Sequence, residues 1–320
     1  MNQKLTEEEY ANKLVEALKE LADGQFNIKL GYHAATNNNN KISIDINQPG
    51  KDGIIFYPDD AYADNADVHI LAKIVIQKVI KQYKVGYPVE VERANTRLES
   101  FTAAKPYIFP NFVNAKENKE MLKSTPHILW NDLAIIFSIN LSDIFGKAIM
   151  CIRNEAIENW NVTVEDLDNA SRENAATLMP PLFAPLNNVL AAMECIDHKD
   201  LSDPKVRKEC MRLFKLPSND PAHLLTNKTG TYGAAEVIYS DVLQQYANVI
   251  DSDLYLILNS VDDALIVPVN ACKSSAIDLQ DLIATAPVNR EDKLSDSVYI
   301  YNQKTKKIII AAEDKKKEKK

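Results

Sequence analysis

Glycine is scarce in this sequence, with only eight among its 320 residues. The chain contains neither the Gly-X-X-X-X-Gly-Lys-Ser/Thr loop that cradles phosphates nor the Gly-X-Gly-X-X-Gly turn of dinucleotide-binding domains. The first absence argues strongly against P-loop nucleotide hydrolysis, and the second argues against a dinucleotide-binding domain. The His-Glu-X-X-His zinc motif and the Gly-X-Ser-X-Gly nucleophile motif are also missing. We therefore expect no cofactor.

Cysteine and histidine are few and widely spaced. The four cysteines, which form no Cys-X-X-Cys pair, are Cys151, Cys195, Cys210 and Cys272. In a large chain without a secretion signal, this spacing favours free thiols over disulfide bridges. The five histidines, which lack metal-ligand spacing, are His33, His69, His127, His198 and His223. A histidine of this kind is more often a surface or packed side chain than a ligand, so the sequence predicts no metal site.

Long hydrophobic runs are also missing. No apolar run approaches the length of a membrane-spanning helix. The N-terminal segment Met1–Glu7 is polar and lacks the apolar core of a signal peptide. These two absences predict a cytoplasmic protein that makes no membrane contact.

The chain carries an excess of acidic residues, with a net charge of −8. The last eight residues, 313–320, hold five lysines and three acidic residues, and without them 32 basic residues face 42 acidic ones. An acidic body repels nucleic acid, so a nucleic-acid partner is disfavoured. The remaining partner classes are a protein or a small molecule. The Lys-rich segment 313–320 is interpreted as a disordered, solvated tail.

Apolar and polar residues are arranged in patterns that predict both helices and strands. Thr6 and Glu9 form a capping box at a helix start, in which each side chain bonds the other residue's backbone N–H. Lys41–Ile46 alternates with a period of two, as a half-buried strand does. Val68–Tyr83 has the broad apolar face of a helix. Thr163 is a suitable N-cap for another helix.

Proline marks several interruptions in these patterns. Tyr107–Val113 is expected to be extended, but Pro110 excludes it from the regular centre of a sheet. The pair Pro180–Pro181 ends the preceding helix. A new helix is predicted over Pro204–Phe214, because proline suits the first helical position. Leu216–Ala222 contains two prolines and is the predicted linker between lobes.

The stretch Leu224–Pro268 organises the C-terminal part of the chain. It is interpreted as a strand, a turn, a second strand at Ala235–Tyr239, a helix and then a hairpin. Leu254–Leu258 is apolar throughout, which predicts a strand that is buried on both faces. Asn259–Asp263 is short and polar, which predicts the turn of that hairpin.

Hairpins dominate the predicted elements, and another one is expected where Ser297–Tyr301 meets Lys307–Ala311. The predicted fold class is α+β, with mixed but mostly antiparallel sheets, helices packed on them and two lobes. We place the N-terminal α+β lobe at residues 1–215 and the C-terminal α+β lobe at 216–312. The tail 313–320 follows them.

Two polar segments are candidates for a ligand-binding site. Asn227, Lys228 and Thr229 offer an amide, a cation and a hydroxyl, which together would suit an anion. A plain hairpin turn, with the next glycine at positive φ, is the stronger interpretation of this segment. Asp262 and Asp263 follow the predicted buried strand and are the second candidate pair.

A metal site built from the acidic residues of this region is disfavoured. Asp251 and Asp253 precede the strand Leu254–Leu258, whereas Asp262 and Asp263 follow it. At the rise of a strand, the two pairs would lie about 17 Å apart. Helix-end and turn positions account for all four carboxylates without a shared cation.

Several segments occur in an order that is typical of one family. They are Asp132–Phe137, Trp160–Thr163, Leu225–Lys228, Gly233–Ala235, Asp253–Tyr255 and Leu294–Tyr301. On these segments, the chain resembles an uncharacterised domain-of-unknown-function family, family 5688, which is found in Firmicutes and often on mobile elements. The resemblance runs from about residue 41 to residue 310 and implies no established activity.

One segment departs from the family pattern. After the central strand, members tend to have Pro-Ser-Ser, a hydrophobic residue and His-Glu, whereas residues 258–263 here are Leu-Asn-Ser-Val-Asp-Asp. If the His-Glu pair is catalytic in the family, this chain lacks it. If the pair only shapes a turn, Asp262 and Asp263 can replace it.

The absence of an assembled catalytic group, together with the resemblance, predicts a non-catalytic cytoplasmic accessory protein linked to a mobile element. Its role would be to bind a protein or a small ligand. The alternative is a hydrolase-type enzyme whose Asp, Lys or His residues meet only in the folded chain. Perturbed ionisable groups gathered around one pocket would favour the enzyme.

Overall fold

The chain forms two compact units, Met1–Thr96 and Arg97–Lys320. The computed structural model describes residues 5–34, 36–37, 40–48, 53–85, 89–145, 148–197, 205, 208, 212–216, 218–285 and 288–312. The boundary predicted after residue 215 falls inside the second unit, and it stays a prediction about domain organisation. The predicted tail 313–320 and most of the predicted helix Pro204–Phe214 lie outside the described residues.

The first unit packs helices against a small antiparallel sheet. Its elements are α1 (Glu7–Ala22), β1 (Asn27–Ala34), β2 (Asn40–Asn47), β3 (Ile54–Phe56), α2 (Asp59–Ala63) and α3 (Val68–Val85), and α4 (Val89–Leu98) crosses the division. The sheet order is β1-β2-β3. Leu14 and Leu18 of α1 share one core with Ile44 of β2 and Val79 of α3. The alternation predicted for β2 is thus the alternation of a strand with one buried face.

Local capping begins α1 as the sequence predicts. The backbone N–H of Thr6 donates to Oε2 of Glu9 at 2.8 Å, and the backbone N–H of Glu9 donates to Oγ1 of Thr6 at 3.2 Å. Thr163 and Asp166 repeat this capping box later in the chain. Each box satisfies backbone donors that the first helical turn leaves without intrahelical partners.

The second unit begins with a four-stranded antiparallel sheet and its helices. The elements are α5 (Phe101–Ala104), β4 (Ile108–Asn114), α6 (Lys119–Leu122), β5 (His127–Trp130), β6 (Leu133–Asn140), α7 (Ser142–Phe145), β7 (Ile149–Cys151), α8 (Asn154–Trp160) and α9 (Val164–Leu178). The order is β4-β6-β5, and β7 also pairs with β6. Pro110 lies on β4, which is an edge strand, as the sequence predicts.

A six-stranded antiparallel sheet completes the second unit. Its elements are β8 (Pro181–Pro185), α10 (Leu186–Asp197), β9 (His223–Asn227), α11 (Glu236–Tyr239), α12 (Val242–Ile250), β10 (Leu254–Ile257), β11 (Ala264–Pro268), α13 (Ala276–Ile283), β12 (Val298–Tyr301) and β13 (Ile308–Ala312). The strand order is β13-β12-β10-β11-β9-β8. The predicted α+β class is confirmed, and the described strand pairs are antiparallel.

The central strand β10 is buried on both faces, as predicted. Leu254, Leu256 and Leu258 are fully buried, and Ile257, which points to the opposite face, is 5% exposed. On that second face, Ile257 packs with Leu279 of α13. The apolar run therefore reflects a strand with a covered face on each side.

The strand predicted at Ala235–Tyr239 is wrong. Gly233–Ala235 forms a 3-10 turn, and Glu236–Tyr239 forms the short helix α11. The N–H groups of Gly233 and Ala234 donate to the carbonyls of Asp262 and Val261. A Cβ at Gly233 would lie 2.4 Å from Oγ1 of Thr226, so only glycine permits this close approach. The apolar pattern of Ala235–Tyr239 cannot predict these contacts, because they involve residues elsewhere in the chain.

The prolines after α9 end that helix and also mark the two ends of a strand. Pro181 and Pro185 begin and end β8, which pairs with β9 and forms one edge of the six-stranded sheet. Proline is tolerated there because an edge strand has one side without a hydrogen-bonding partner strand.

None of the described helices is long and apolar enough to cross a membrane.

Candidate functional site

The segment predicted to bind an anion, Asn227–Thr229, forms a turn that is held by hydrogen bonds within it. Oδ1 of Asn227 accepts the backbone N–H groups of Thr229 and Gly230 at 2.9 and 3.0 Å and the Thr229 hydroxyl at 2.5 Å. The Asn227 amide donates to the carbonyl of Thr231 at 2.7 Å. Gly230 has a φ of +69°. Asn227 and Thr229 thus bond within the turn, while Lys228 is exposed beside them.

Asp262 supports the same turn from the other strand. Its Oδ1 accepts the backbone N–H of Tyr232 at 3.0 Å, and its carbonyl accepts the Thr226 hydroxyl at 2.6 Å. The structure therefore brings the turn after β9 and the loop before β11 together. Each of these bonds joins a backbone group of one segment to a side chain of the other, and this geometry matches a turn-shaping role for the position of Asp262.

Asp263 lies in a different environment from a solvated turn residue. Burial, followed by the negative charge of Asp262, raises the pKa of Asp263 to about 6. Burial also raises the pKa of Asp262, and the charge of Asp292 adds to this effect. Ionisation of this acidic pair is therefore opposed by the fold, so the two aspartates are not simply solvated charges.

Asp251 and Asp253 have structural partners at the other end of β10. The carboxylate of Asp253 accepts from the Asn302 amide at 3.1 Å and from the backbone N–H of Gln303 at 2.8 Å. Asp251 ends α12 in the left-handed conformation. Within the part of the chain that the structure describes, no three His, Cys, Asp or Glu side chains are placed to hold a metal ion.

A polar network around Asp132 was not predicted. Asp132 lies in the turn between β5 and β6, and its Oδ2 accepts the hydroxyls of Ser295 and Ser297 at 2.6 and 3.1 Å. Its Oδ1 accepts the hydroxyl of Tyr299. The three donors are buried, which makes this network a tether between the two sheets of the second unit.

Aromatic packing supports the same tether. The Trp130 ring stacks on Tyr299 with centroids 5.4 Å apart and lies 5.1 Å from the ring of Phe112. The segments that carry the family resemblance include Asp132 and Tyr299, but nothing in the sequence pairs these two positions. Only the folded chain brings them together.

An open cleft of about 610 Å³ lies beside Leu98 at the end of α4, β7 and α8. Its apolar lining includes Leu98, Met150 and Trp160, and its polar lining includes Arg153 and Glu155. The indole N–H of Trp160 donates to the carbonyl of Leu98 at 3.1 Å, which fixes the ring at the cleft wall. No sequence motif marked these residues as a group.

Cys151 also lines this cleft, and its environment opposes a nucleophilic role. Burial raises the pKa of the Cys151 thiol, and the nearby charge of Arg153 offsets only part of that effect. A thiol with a raised pKa holds little thiolate near neutral pH. Cys151 and Cys272 are free thiols, whereas the side chains of Cys195 and Cys210 lie outside the described residues.

Two described histidines bond to neighbouring groups rather than to a nucleophile. Nδ1 of His127 lies 2.8 Å from the carbonyl of Thr125. Nδ1 of His223 lies 3.1 Å from the Tyr246 hydroxyl, and the His223 ring stacks on Phe183. Burial lowers the pKa of His223, which favours its neutral form.

Residues 7–303 match a family that is described as Family of unknown function (DUF5688). The chain belongs to this family. The predicted resemblance is thus confirmed. The Asp132 network, the cleft beside Trp160 and the turn at Asn227 all lie within the matched DUF5688 span, whereas β13 lies beyond it. Comparisons with curated proteins and with solved structures found no match.

Proposed function

We propose that this DUF5688 protein is a non-catalytic binding module that takes a small organic ligand in the cleft beside Trp160. The observation that carries the proposal is the cleft itself, whose volume of about 610 Å³ suits a small molecule. Ligand pockets typically enclose roughly 300–1,000 Å³ and combine an apolar wall with a few polar groups.

The lining supports a ligand with an aromatic or apolar body. Trp160, Met150 and Leu98 supply the apolar wall, and the Trp160 ring is held by its hydrogen bond to Leu98. A fixed indole offers a flat stacking surface at little entropic cost. Met150 adds a flexible side chain that adapts to the shape of the ligand.

The polar lining supports recognition of a charged or hydrogen-bonding group. Arg153 donates to Oγ1 of Thr125 at 2.7 Å, which orients its guanidinium and leaves further N–H donors for a ligand. Glu99, Glu155 and Asn159 also line the cleft. One cation and two carboxylates favour a ligand that carries a basic group or that carries both charges.

The interactions of the described polar groups support binding rather than catalysis. Asn227 and Asp132 each bond several neighbouring donors, so their oxygens serve the fold. Cys151 is the thiol in the cleft, and its raised pKa opposes nucleophilic attack. Nucleophilic catalysis needs an activated group beside a base.

Benzamidine and benzoate test this proposal, because they share one ring and carry opposite charges. Binding is measured by saturation-transfer NMR and confirmed by quenching of Trp160 fluorescence in a Trp130→Phe background. We expect at least one probe to bind, and we expect Ala156→Phe, which fills the cleft, to weaken that binding about tenfold or more. Stronger binding of benzamidine would identify the carboxylates as the polar anchor, and stronger binding of benzoate would identify Arg153.

Ala191→Phe is the matched control, because Ala191 is an exposed residue of α10 that does not line the cleft. It should leave probe binding unchanged. The proposal fails if neither probe binds, or if Ala156→Phe binds both probes as tightly as the native chain. Thermal melting of each variant establishes that the fold is retained.

A hydrolase-type enzyme is the second candidate, and the raised pKa of Asp263 favours it. A carboxyl group with a pKa of about 6 can act as an acid or a base near neutral pH. Turnover of p-nitrophenyl esters or phosphates that is lost in Asp263→Asn but retained in Asp251→Asn would favour the enzyme. A cytoplasmic location and a link to a mobile element belong to the proposal of an accessory binding module.

A further inference from the structure

The cleft beside Trp160 carries opposite charges at its two ends. Arg153 is the N-cap residue of α8, and Trp160 is the last residue of that helix. Both line the cleft, and at a helical rise of roughly 1.5 Å per residue they lie about 10 Å apart along it. Glu99 also lines the cleft and directly follows Leu98, whose carbonyl accepts the Trp160 indole N–H. A cation therefore lies at one end of α8 and a carboxylate at the other.

The wall between these two ends is apolar. Ala156 lies midway along α8, and Ile149 and Met150 of β7 line the same cleft. The methyl group of Ala156 leaves space beside the helix that a longer side chain would fill. A ligand that reaches both ends therefore passes over apolar surface, where burial of a methylene chain is favourable.

The protein itself neutralises neither of the two end charges. Arg153 donates to the Thr125 hydroxyl at 2.7 Å, and this partner is neutral. Among the residues that the structure describes, neither Arg153 nor Glu99 forms an ion pair. The guanidinium has further N–H donors, and the Glu99 carboxylate has two acceptor oxygens. Ligand groups of the opposite charge would thus make charge-assisted hydrogen bonds at both ends.

The Trp160 ring makes its end of the cleft suitable for an ammonium group. Its indole N–H is bonded to Leu98, and the ring packs against Phe101 with centroids 6.3 Å apart, so its position is fixed. In the described part of the chain, no Lys or Arg side chain stacks on this ring. Indole is the aromatic side chain that attracts cations most strongly.

We propose that the ligand of this cleft is a linear molecule with an ammonium group at one end and a carboxylate at the other, as in an ω-amino acid. This inference rests on the small-ligand function proposed above. The ammonium group lies between the Trp160 ring and Glu99, and the carboxylate accepts N–H groups of Arg153. The methylene chain between the two charges lies over Ala156.

The distance between the two ends excludes a short ligand from this arrangement. An α-amino acid carries both charges on one carbon, so it cannot reach Arg153 and Glu99 together. Glu155 lines the cleft only two residues after Arg153 and would be the acidic partner of a short ligand. The preferred chain length therefore distinguishes Glu99 from Glu155 as the acidic partner.

Four probes test the charge pattern and the chain length. 6-Aminohexanoate carries its two charges at the ends of a methylene chain, hexylamine has only the ammonium group, hexanoate has only the carboxylate, and 3-aminopropanoate has both charges on a shorter chain. Isothermal titration calorimetry of the full chain measures the four dissociation constants. We expect 6-aminohexanoate to bind about tenfold or more tightly than each of the other three.

Substitutions at the two ends test which residue binds which group. Arg153→Gln should reduce the advantage of 6-aminohexanoate over hexylamine to within about threefold, because the carboxylate loses its cationic partner. Glu99→Gln should reduce its advantage over hexanoate in the same way. Arg212→Gln and Glu158→Gln are the matched controls, because both residues are exposed and neither lines the cleft. Both controls should keep an advantage of about tenfold.

Three outcomes overturn the inference. They are 6-aminohexanoate that binds no tighter than hexylamine or hexanoate, 3-aminopropanoate that binds as tightly as 6-aminohexanoate, and an advantage that survives Arg153→Gln or Glu99→Gln. Melting temperatures establish that each variant is folded. If benzamidine or benzoate binds alongside any of these outcomes, the small-ligand function stands and only the class of ligand is wrong. If benzamidine and benzoate also fail to bind, the proposed function itself fails.

Discussion

The hydroxyl of Tyr299 donates a 2.5 Å hydrogen bond to Oδ1 of Asp132, and this bond joins the two sheets of the second unit. Tyr299 lies on β12, and Asp132 lies in the turn between β5 and β6. Burial raises the pKa of Tyr299, so its hydroxyl stays protonated and remains a donor over the ordinary pH range. Ser295 and Ser297 donate to the other oxygen of the same carboxylate.

Removing this bond should destabilise the second unit. Tyr299→Phe leaves a carboxylate oxygen without its buried donor, and we expect a loss of about 1–3 kcal/mol in the free energy of unfolding. Asp132→Ala leaves three buried hydroxyls without their acceptor and should cost more than that. Urea unfolding monitored by circular dichroism measures both losses.

Tyr255→Phe is the matched control for Tyr299→Phe. Tyr255 lies on the central strand β10 of the same sheet and is only partly buried. We expect a change within about 0.5 kcal/mol for this control. Equal losses for Tyr299→Phe and Tyr255→Phe would contradict the role of the tether.

The central strand β10 should be among the segments least tolerant of truncation. Leu256→Ala and Ile257→Ala shorten buried side chains on opposite faces, and each should cost about 2–5 kcal/mol of unfolding free energy. Val249→Ala shortens a side chain that is 83% exposed on α12 and should change stability by about 0.5 kcal/mol or less. A harmless Ile257→Ala would mean that the face toward α13 contributes little packing.

Asp263 should make stability depend on pH. Its pKa is about 6 in the folded chain, against an ordinary value of 3.8. Because the folded state binds the proton more tightly than the unfolded state, protonation stabilises the fold. Stability should therefore fall as pH rises from about 4 to about 6, and the loss should remain above that window.

Asp263→Asn removes this ionisation and should raise the unfolding free energy near pH 7 by about 2–3 kcal/mol. The gain should become small near pH 4 and vanish below about pH 3, where Asp263 is protonated in both the folded and the unfolded state of the native chain. Urea unfolding across this pH range measures it. Glu117→Gln, at an exposed position, should show no such pH-dependent gain, and an equal gain there would refute the assignment to Asp263.

Arg97 should not tolerate replacement by lysine. Its guanidinium makes two parallel bonds to Asp143 at 2.7 and 2.8 Å, donates to the carbonyl of Asn140 at 2.7 Å and lies 3.4 Å from the ring centre of Tyr107. A lysine ammonium keeps the charge but lacks the planar fork that makes these contacts together. We expect Arg97→Lys to cost about 2–3 kcal/mol of unfolding free energy.

Arg172→Lys is the comparison for this change. Arg172 pairs with Asp168 on the same helix, and its side chain is about half exposed. Because the Arg172 guanidinium is much more exposed than that of Arg97, solvent weakens its pairing with Asp168, and the loss should be smaller than for Arg97. A loss at Arg172 that equals the loss at Arg97 would show that burial is not the deciding factor.

Elements whose structure is set by residues close together in the sequence were predicted from the sequence. The capping box of Thr6 and Glu9 and the alternation of Lys41–Ile46 are local patterns, and both occur in the structure. The two-sided burial of Leu254–Leu258 and the edge position of Pro110 were predicted as well. The candidate turn at Asn227 was recognised as a turn because Gly230 permits positive φ.

Features that depend on contacts between distant segments could be identified only in the folded chain. Asp132 and Tyr299 are 167 residues apart, and no local pattern connects them. The strand predicted at Ala235–Tyr239 is wrong, because the chain enters this segment through Gly233 and Ala234, whose backbone N–H groups bond to the distant residues Asp262 and Val261.

The sequence by itself determined the α+β class, the helix starts and the strand that fills the core, since capping and hydrophobic periodicity act over a few residues. Tertiary structure alone decided the cleft beside Trp160, the Asp132 tether and the raised pKa of Asp263. Burial and long-range hydrogen bonding arise only when separate segments pack together, because each depends on which neighbours replace water around a group.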